Sequence, residues 1–296
     1  MVRRALLWIG LALCAYALWH THKNADALRN QLPALNWVII GLFLIAIWAL
    51  AVASWREYLR AYQLNDSRWR TACRHLGMLL VGKYIPGGIF GFMMRIYDQP
   101  KEQRQRLLWA SLADQSCGVA MPVIMGICMM VIESQRNGLW SIALLPIPIL
   151  AAMGIRALHR IVRHLPLASR YTPPLNAPST GALCFATSMQ LFQVIAWSGL
   201  VAIVAQQLYG LDIHAACGLA GAYLLAVAAG MLIVFLPSGI GAREAALVTL
   251  SAPWLELSQA IYLAALLRVL SSILDILAGA ISAAISPRKE EHEQST

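Results

Sequence analysis

Long apolar segments alternate with short, arginine-rich polar stretches along the whole chain. Nine apolar segments are present: 5–19, 35–54, 76–94, 107–132, 139–155, 181–208, 215–236, 245–255 and 258–285. A helix needs about 20 apolar residues to cross the hydrocarbon core of a bilayer. Four segments meet that length comfortably: 35–54, 107–132, 181–208 and 258–285. The first and fifth are shorter but can extend into neighbouring residues, so the pattern predicts an all-α polytopic membrane protein with about six full transmembrane helices.

The basic residues between these segments predict the orientation, because cytoplasmic loops are enriched in Arg and Lys. Of the 23 basic residues, 17 lie in stretches that we assign to the cytoplasmic side and three in stretches that we assign to the outer side. The other three lie within apolar segments. We therefore place the N-terminus, the arginine-rich loops and the C-terminal tail in the cytoplasm.

Segment 76–94 is interrupted by GKYIPGGIFGFMMR at residues 82–95 and has basic residues on both flanks. Since both flanks are predicted to be cytoplasmic, the segment cannot cross the membrane once. Proline lacks a backbone donor and glycine adopts turn conformations without strain, so the break is expected at Pro86, Gly87 and Gly88. Unpaired backbone at membrane depth is tolerated only inside protein or beside a wet cavity. A re-entrant hairpin beside a cavity is therefore predicted; a helix lying on the membrane surface is the alternative.

Residues 215–257 begin and end on the outer side, and FLPSGIGARE lies in their middle. The break is expected at four residues: Pro237, Ser238, Gly239 and Gly241. The returning arm, 245–255, is too short to cross alone. This indicates a second re-entrant hairpin from the opposite face, or a longer hairpin that reaches the far side.

The two halves repeat one plan within a single membrane domain, residues 1–296. Residues 35–132 with hairpin 76–94 form one repeat, and residues 181–285 with hairpin 215–257 form its inverted copy. The remaining parts are the first span with its outer loop (1–34), a connecting span with a basic cytoplasmic loop (139–180) and the tail (286–296). Inverted repeats with broken helices at matching positions indicate a transporter with its binding site at mid-membrane.

Composition removes several other classes of function. The chain is 59% hydrophobic and 12% charged, with mean hydropathy +0.62, whereas an ordinary soluble domain is about 25% charged. Its polar stretches are too short for a soluble catalytic domain, and the net charge of +9 lies in loops between spans rather than in a nucleic-acid site. The six cysteines show no CxxC spacing, and no nucleotide-binding motif or metal-ligand pattern is present. We expect no enzyme activity, no cofactor and no metal.

Charged side chains in the apolar segments and hairpins are the candidate functional groups, because each costs about 2.5–3.5 kcal/mol at the bilayer centre. The basic ones are predicted to bind a lipid phosphate: Arg243, Lys83, Arg95 and Arg268. The acidic ones are predicted to form ion pairs or relay protons: Glu244, Asp114 and Asp275. Structural ion pairs are the alternative for these residues, and for Arg95 the alternative is an anchor at the lipid headgroups.

Arg243 and Glu244 follow the PSGIG break and should begin the returning helix. Free backbone N–H groups and the helix dipole favour an anion there, and the guanidinium fork suits a phosphate. Arg268 and Asp275 lie two turns apart on one helix face, and Glu244 is the expected partner of Arg268. Asp114 either relays protons or pairs with the lysine of the first hairpin.

Three stretches together resemble a known family: KYIPGGIFGFMMR (83–95), LPSGIGAREAALV (236–248) and LAALLRVLSSILDILAG (263–279). They are similar to the lysylphosphatidylglycerol synthase transmembrane region, also called the flippase-like membrane family, from about residue 35 to 285. The resemblance implies a bacterial inner-membrane protein that moves a lipid between leaflets. The family's aminoacyl transfer belongs to a separate soluble domain and is not expected here. Phe90 and Phe92 depart from the family's usual first motif, which leaves the lipid open.

The sequence therefore predicts a translocase for an anionic phospholipid or a polyprenyl-phosphate-linked lipid. Two alternatives belong to other classes. One is an accessory subunit that presents a lipid-linked substrate to an envelope glycosyltransferase or lipid-modifying enzyme. The other is an intramembrane enzyme acting on lipid phosphates. Direction, energy source and self-association are left open.

Overall fold

The computed structural model describes residues 34–85, 90–135, 146–164, 177–233, 237–239 and 241–285. The predicted first span, the Pro86-Gly87-Gly88 turn and the tail lie outside these ranges. Regular structure within them is entirely helical: α1 (Ala34–Ala61), α2 (Trp69–Gly82), α3 (Phe90–Tyr97), α4 (Lys101–Gln135), α5 (Ile147–His164), α6 (Thr180–Tyr209), α7 (Ile213–Leu232), a 3-10 turn (Pro237–Gly239), α8 (Ala242–Leu250) and α9 (Leu257–Ala284).

Five of these helices are long and apolar enough to cross a membrane: α1, α4, α6, α7 and α9. The prediction of an α-helical polytopic membrane protein is therefore confirmed in its class. The predicted total of about six full spans stays a prediction, because residues 5–19 are not described. The sequence predicts the first arm of the second hairpin either as a re-entrant arm or as a helix that reaches the far side. This arm is α7, which has 20 residues.

Helix α5 continues beyond the apolar segment 139–155 to His164. Arg156 and Arg160 lie within it, in keeping with the good helix propensity of arginine. Arg156 donates a hydrogen bond to the backbone oxygen of Pro178, 3.2 Å away, and so holds α5 against the start of α6. The helix thus keeps its arginines at one end and buries Ala152 and His159.

The first helices of the two predicted repeats, α1 and α6, pack against each other in antiparallel fashion. Ser54 Oγ donates to the backbone oxygen of Ala186 at 3.0 Å, and nearer the start of α6 the backbone N–H of Ser179 donates to the backbone oxygen of Ala61 at 3.0 Å, so one chain is followed forwards as the other is followed backwards. This is the packing that the predicted inverted repeat requires of its two first helices.

The first arms of the two hairpins pack on the last helix of the opposite half. Arm α2 lies on α9, where a Cβ on Gly77 would be 2.4 Å from the backbone oxygen of Ala278. Arm α7 lies on α4, where a Cβ on Gly221 would be 2.8 Å from the backbone oxygen of Gly126. Both contacts are antiparallel and both need glycine, because the two backbones nearly touch.

Both hairpins double back on themselves at their breaks. Helix α2 ends at Gly82 and α3 returns along it, so closely that a Cβ on Gly82 would be 2.2 Å from Gly91 Cα. In the second hairpin, Ser238 has φ 53° and Gly239 has φ 65°, and α8 starts three residues later at Ala242. Arms α3 and α8, with 8 and 9 residues, are about 12–14 Å long.

The two hairpin tips come together beside the middle of the long helices. Lys83 and Tyr84, after α2, contact Asp275 of α9, while Ser238 of the second tip accepts a hydrogen bond from Arg268 of the same helix. Since α9 spans Leu257–Ala284, both contacts fall near its centre. The tips thus lie beside the centre of a helix long enough to cross a membrane.

We expect Gly221→Ala to lower the free energy of unfolding by about 1–3 kcal/mol, because the added methyl group meets the backbone of α4 and forces α4 and α7 apart. The matched control is Gly41→Ala, since a Cβ on Gly41 has no atom within 4 Å. Detergent-solubilised protein unfolded with increasing SDS gives the comparison. Equal stability of the two variants would contradict the close packing of α4 on α7.

Candidate functional site

A cavity of about 180 Å³ lies where the two hairpins meet. Its wall includes three charged side chains, Lys83 from the first hairpin, Arg243 from the second and Asp275 from α9. The wall also includes three uncharged polar side chains: Gln193, Tyr223 and Ser271. The rest of the wall is apolar and includes Trp48 and Trp197. Residues of both hairpins and of both predicted repeats thus line one cavity within the helical bundle.

Lys83 is held by an acidic partner on α9. Its Nζ lies 2.8 Å from Asp275 Oδ2 and 2.9 Å from Oδ1. Tyr84 Oη donates to the same carboxylate at 2.6 Å, and Asp275 is 4% exposed. Two neighbouring donors of the first hairpin therefore bind one buried carboxylate, which fixes that tip on α9.

Arg243 is the second residue of α8 and lies over the face of Tyr223. Its guanidinium carbon is 4.9 Å from the ring centroid, and it donates a hydrogen bond to the Tyr223 hydroxyl group. Among the described residues, no carboxylate lies within salt-bridge distance of Arg243. A guanidinium on a cavity wall without an acidic partner is suited to a phosphate oxygen.

Arg268 stabilises the second tip rather than the cavity wall. It donates to the backbone oxygen of Ser238 at 3.0 Å and lies 3.6 Å from Glu244 Oε1, so the predicted pairing with Glu244 is confirmed. Glu244 Oε2 in turn accepts from the backbone N–H of Gly241 at 2.7 Å and caps α8. Neither side chain is part of the cavity wall.

One backbone hydrogen bond links the two tips directly. The N–H of Ser238 donates to the backbone oxygen of Lys83 at 2.9 Å. The left-handed conformation of Ser238 orients this N–H towards the first hairpin. One backbone donor of the second tip and one backbone acceptor of the first therefore satisfy each other.

The family model described as the lysylphosphatidylglycerol synthase TM region matches residues 7–279. The chain belongs to this family. The match includes both hairpins and all charged residues named at the tips, and with the five apolar helices it establishes a multi-pass membrane protein. No curated protein and no solved structure matches the chain.

In this member of the lysylphosphatidylglycerol synthase TM family, Arg95 lies in a separate buried cluster. It is 0% exposed, its Nη1 is 3.3 Å from Asp114 Oδ2, and its guanidinium stacks on Trp55 at 3.6 Å. Gln190 Nε2 donates to Asp114 Oδ1 at 2.9 Å. The suggested pairing of Asp114 with Lys83 is wrong, because Asp114 pairs with Arg95 while Lys83 pairs with Asp275. Arg95 is not in the cavity wall.

A third polar cluster closes the base of the first hairpin. Asp98, just after α3, accepts hydrogen bonds from Arg74 and from His75 Nε2, the latter at 2.9 Å. Burial raises the pKa of Asp98, but the hydrogen bond from His75 and the positive charge of Arg74 outweigh it and leave the pKa below its ordinary value. Asp98 therefore stays ionised at neutral pH and holds the two arms together.

Sequence reasoning missed the aromatic partners of the site. Tyr84 follows Lys83 directly, and Tyr223 lies 20 residues before Arg243, so only the antiparallel hairpin brings Tyr223 to the arginine. Gln193 on α6 also lines the cavity. Within the described ranges, no group of three potential ligands for a metal ion is present.

Proposed function

We propose that this protein moves a lipid with an anionic headgroup between the two leaflets of its membrane, through the cavity between the hairpin tips. One observation carries the proposal: Lys83 of one hairpin and Arg243 of the other line a single cavity beside the middle of membrane-length helices. Cationic side chains inside a membrane are costly, and those that face the interior of a helix bundle commonly mark a substrate pathway.

The packing of the two halves supports a route between leaflets. The first arm of each hairpin lies on the last helix of the opposite half, and the tips meet through one backbone hydrogen bond. In the proposed topology the hairpins enter from opposite faces, so rocking one half against the other exposes the cavity to each face in turn. The headgroup enters the cavity while the acyl chains stay among lipids.

The proposed orientation follows from the basic residues. With 17 of 23 basic residues on the predicted cytoplasmic side, the termini lie in the cytoplasm and the first hairpin enters from there. The proposed location is a bacterial inner membrane, in line with the family. Movement of lipid by alternating access needs no covalent chemistry, and we propose no enzymatic step.

Leaflet accessibility in proteoliposomes tests the function. Purified protein is reconstituted with labelled phosphatidylglycerol, aminoacylated phospholipid or polyprenyl phosphate, and quenching of the outer-leaflet label is followed over time. We expect protein-dependent movement of at least one of these lipids, and none in protein-free vesicles.

The informative negative result requires folded protein. If a monodisperse, helical preparation moves none of the three lipids, the translocase proposal is contradicted. Copurification with an envelope glycosyltransferase or lipid-modifying enzyme would then favour the accessory-subunit hypothesis. Conversion of a lipid by the purified protein would favour the intramembrane enzyme.

A further inference from the structure

The charges on the cavity wall do not balance. The wall holds two cations, Lys83 and Arg243, and one carboxylate, Asp275. Asp275 forms an ion pair with Lys83, whose Nζ lies 2.8 Å from Asp275 Oδ2. The excess on the wall is therefore one positive charge, and it belongs to Arg243.

The charged groups behind the wall add nothing to this excess. Arg268 lies 3.6 Å from Glu244 at the second tip, and Arg95 lies 3.3 Å from Asp114 beside the first hairpin. Both are one-to-one pairs of opposite charge. Among the described residues at the hairpins, Arg243 alone lacks an acidic partner.

We infer that the cavity selects a headgroup with one net negative charge, the charge of a single phosphodiester, over headgroups that are neutral overall or dianionic. This inference rests on the proposed lipid transport. A monoanion neutralises Arg243 and leaves the Lys83–Asp275 pair intact. A dianion leaves one negative charge uncompensated in a site of low polarity, and a headgroup without net charge leaves Arg243 unbalanced.

Cavity size and donors agree with a compact phosphodiester. The volume of about 180 Å³ is below the roughly 300–1,000 Å³ of pockets for drug-sized ligands. It suits a phosphate with a small alcohol substituent rather than a lipid-linked oligosaccharide. Gln193 and Ser271 on the wall supply hydrogen-bonding groups for hydroxyls of such an alcohol.

The test compares three lipids with identical acyl chains in the same proteoliposomes. Phosphatidylglycerol has one negative charge, phosphatidylcholine is neutral overall, and phosphatidic acid approaches two at pH 8, because a phosphate monoester has its second pKa near 6. We expect phosphatidylglycerol to move at least about tenfold faster than either of the others, a difference of about 1.4 kcal/mol.

A variant that changes the net charge of the cavity wall tests the charge selection directly. Asp275→Asn keeps the shape of the side chain but raises the excess on the wall from one positive charge to two. We expect the rate ratio of phosphatidylglycerol to phosphatidic acid to fall at least about tenfold. The matched control is Glu133→Gln, which removes a carboxylate of α4 that bonds Trp254 and is not in the wall; its ratio should equal that of the wild type.

The outcomes separate this inference from the proposed function. Movement of all three lipids at similar rates, or fastest movement of phosphatidic acid, would overturn the charge selection and leave translocation standing. No movement of any anionic lipid by folded wild-type protein contradicts the translocase itself. An unchanged ratio in a folded Asp275→Asn protein also overturns the charge selection. If that variant does not fold, the wild-type ratio decides alone.

Discussion

Replacing Arg243 with alanine is expected to lower the rate of lipid translocation by about 10- to 100-fold without unfolding the protein. A hydrogen bond to a charged group is worth about 1.5–3 kcal/mol, and each 1.4 kcal/mol is tenfold in rate or affinity. Arg243 has no acidic partner among the described residues, so its removal leaves no carboxylate uncompensated. The loss should therefore appear in transport and only weakly in stability. Proteoliposome flux at equal protein content measures it.

Two further variants identify the cause of that loss. Arg243→Lys keeps the charge but not the planar fork, so we expect it to recover part of the rate. Arg70→Ala removes an exposed arginine of α2 outside the cavity wall and should leave the rate unchanged. Wild-type flux in a folded Arg243→Ala protein would remove Arg243 from the site. An equal loss in Arg70→Ala would instead point to a general effect of surface charge.

Local chemistry made the second hairpin predictable. Pro237, Gly239 and Gly241 specify a break because they disfavour a continuing helix, and the structure has a 3-10 turn and positive φ angles there. Arg243 and Glu244 follow within three residues, so their place at the start of α8 needs no tertiary information. Helices α6 and α9 were also predictable, at 181–208 and 258–285, because each follows from hydropathy over one continuous segment. The observed α1 and α4 extend past their predicted apolar segments into polar residues.

Ion-pair partners were harder to predict, because they depend on how separate elements pack. Lys83 and Asp275 are 192 residues apart in sequence, and no local pattern joins them. The position of Arg95 beside Asp114 depends on α3 folding back along α2 and packing on α4. Only the Arg268–Glu244 pair was predicted, because both residues belong to neighbouring segments of one repeat.

The two halves use the same packing with different chemistry, which matters for transport. The first tip is fixed on α9 by the Lys83–Asp275 ion pair, whereas the second tip is fixed through Arg268, Ser238 and Glu244. An inverted repeat with identical tips would hold a headgroup equally from both faces. The unequal tips leave a cation without an acidic partner on the second hairpin, so we expect the two faces of the proposed site to differ in affinity for an anion.

The largest loss of stability is expected for Asp114→Ala, which leaves the Arg95 guanidinium buried without its carboxylate. Breaking a buried ion pair by removing one partner costs about 3–5 kcal/mol, mostly because the remaining charge is uncompensated. Arg95 is 0% exposed, so water cannot replace the carboxylate. Unfolding in SDS, followed by circular dichroism, should show this drop in the free energy of unfolding.

The double variant Arg95→Met/Asp114→Leu separates a structural pair from a lipid site. Replacing both ions with apolar side chains of similar size is often neutral, so most of the lost stability should return. Gln190 keeps a partner in the double variant, because its Nε2 also donates to the backbone oxygen of residue 114, at 3.1 Å in the Asp114 protein. If Arg95 only holds the first hairpin in place, the double variant will transport lipid at close to the wild-type rate. Restored stability with lost transport would instead return Arg95 to the phosphate-binding residues.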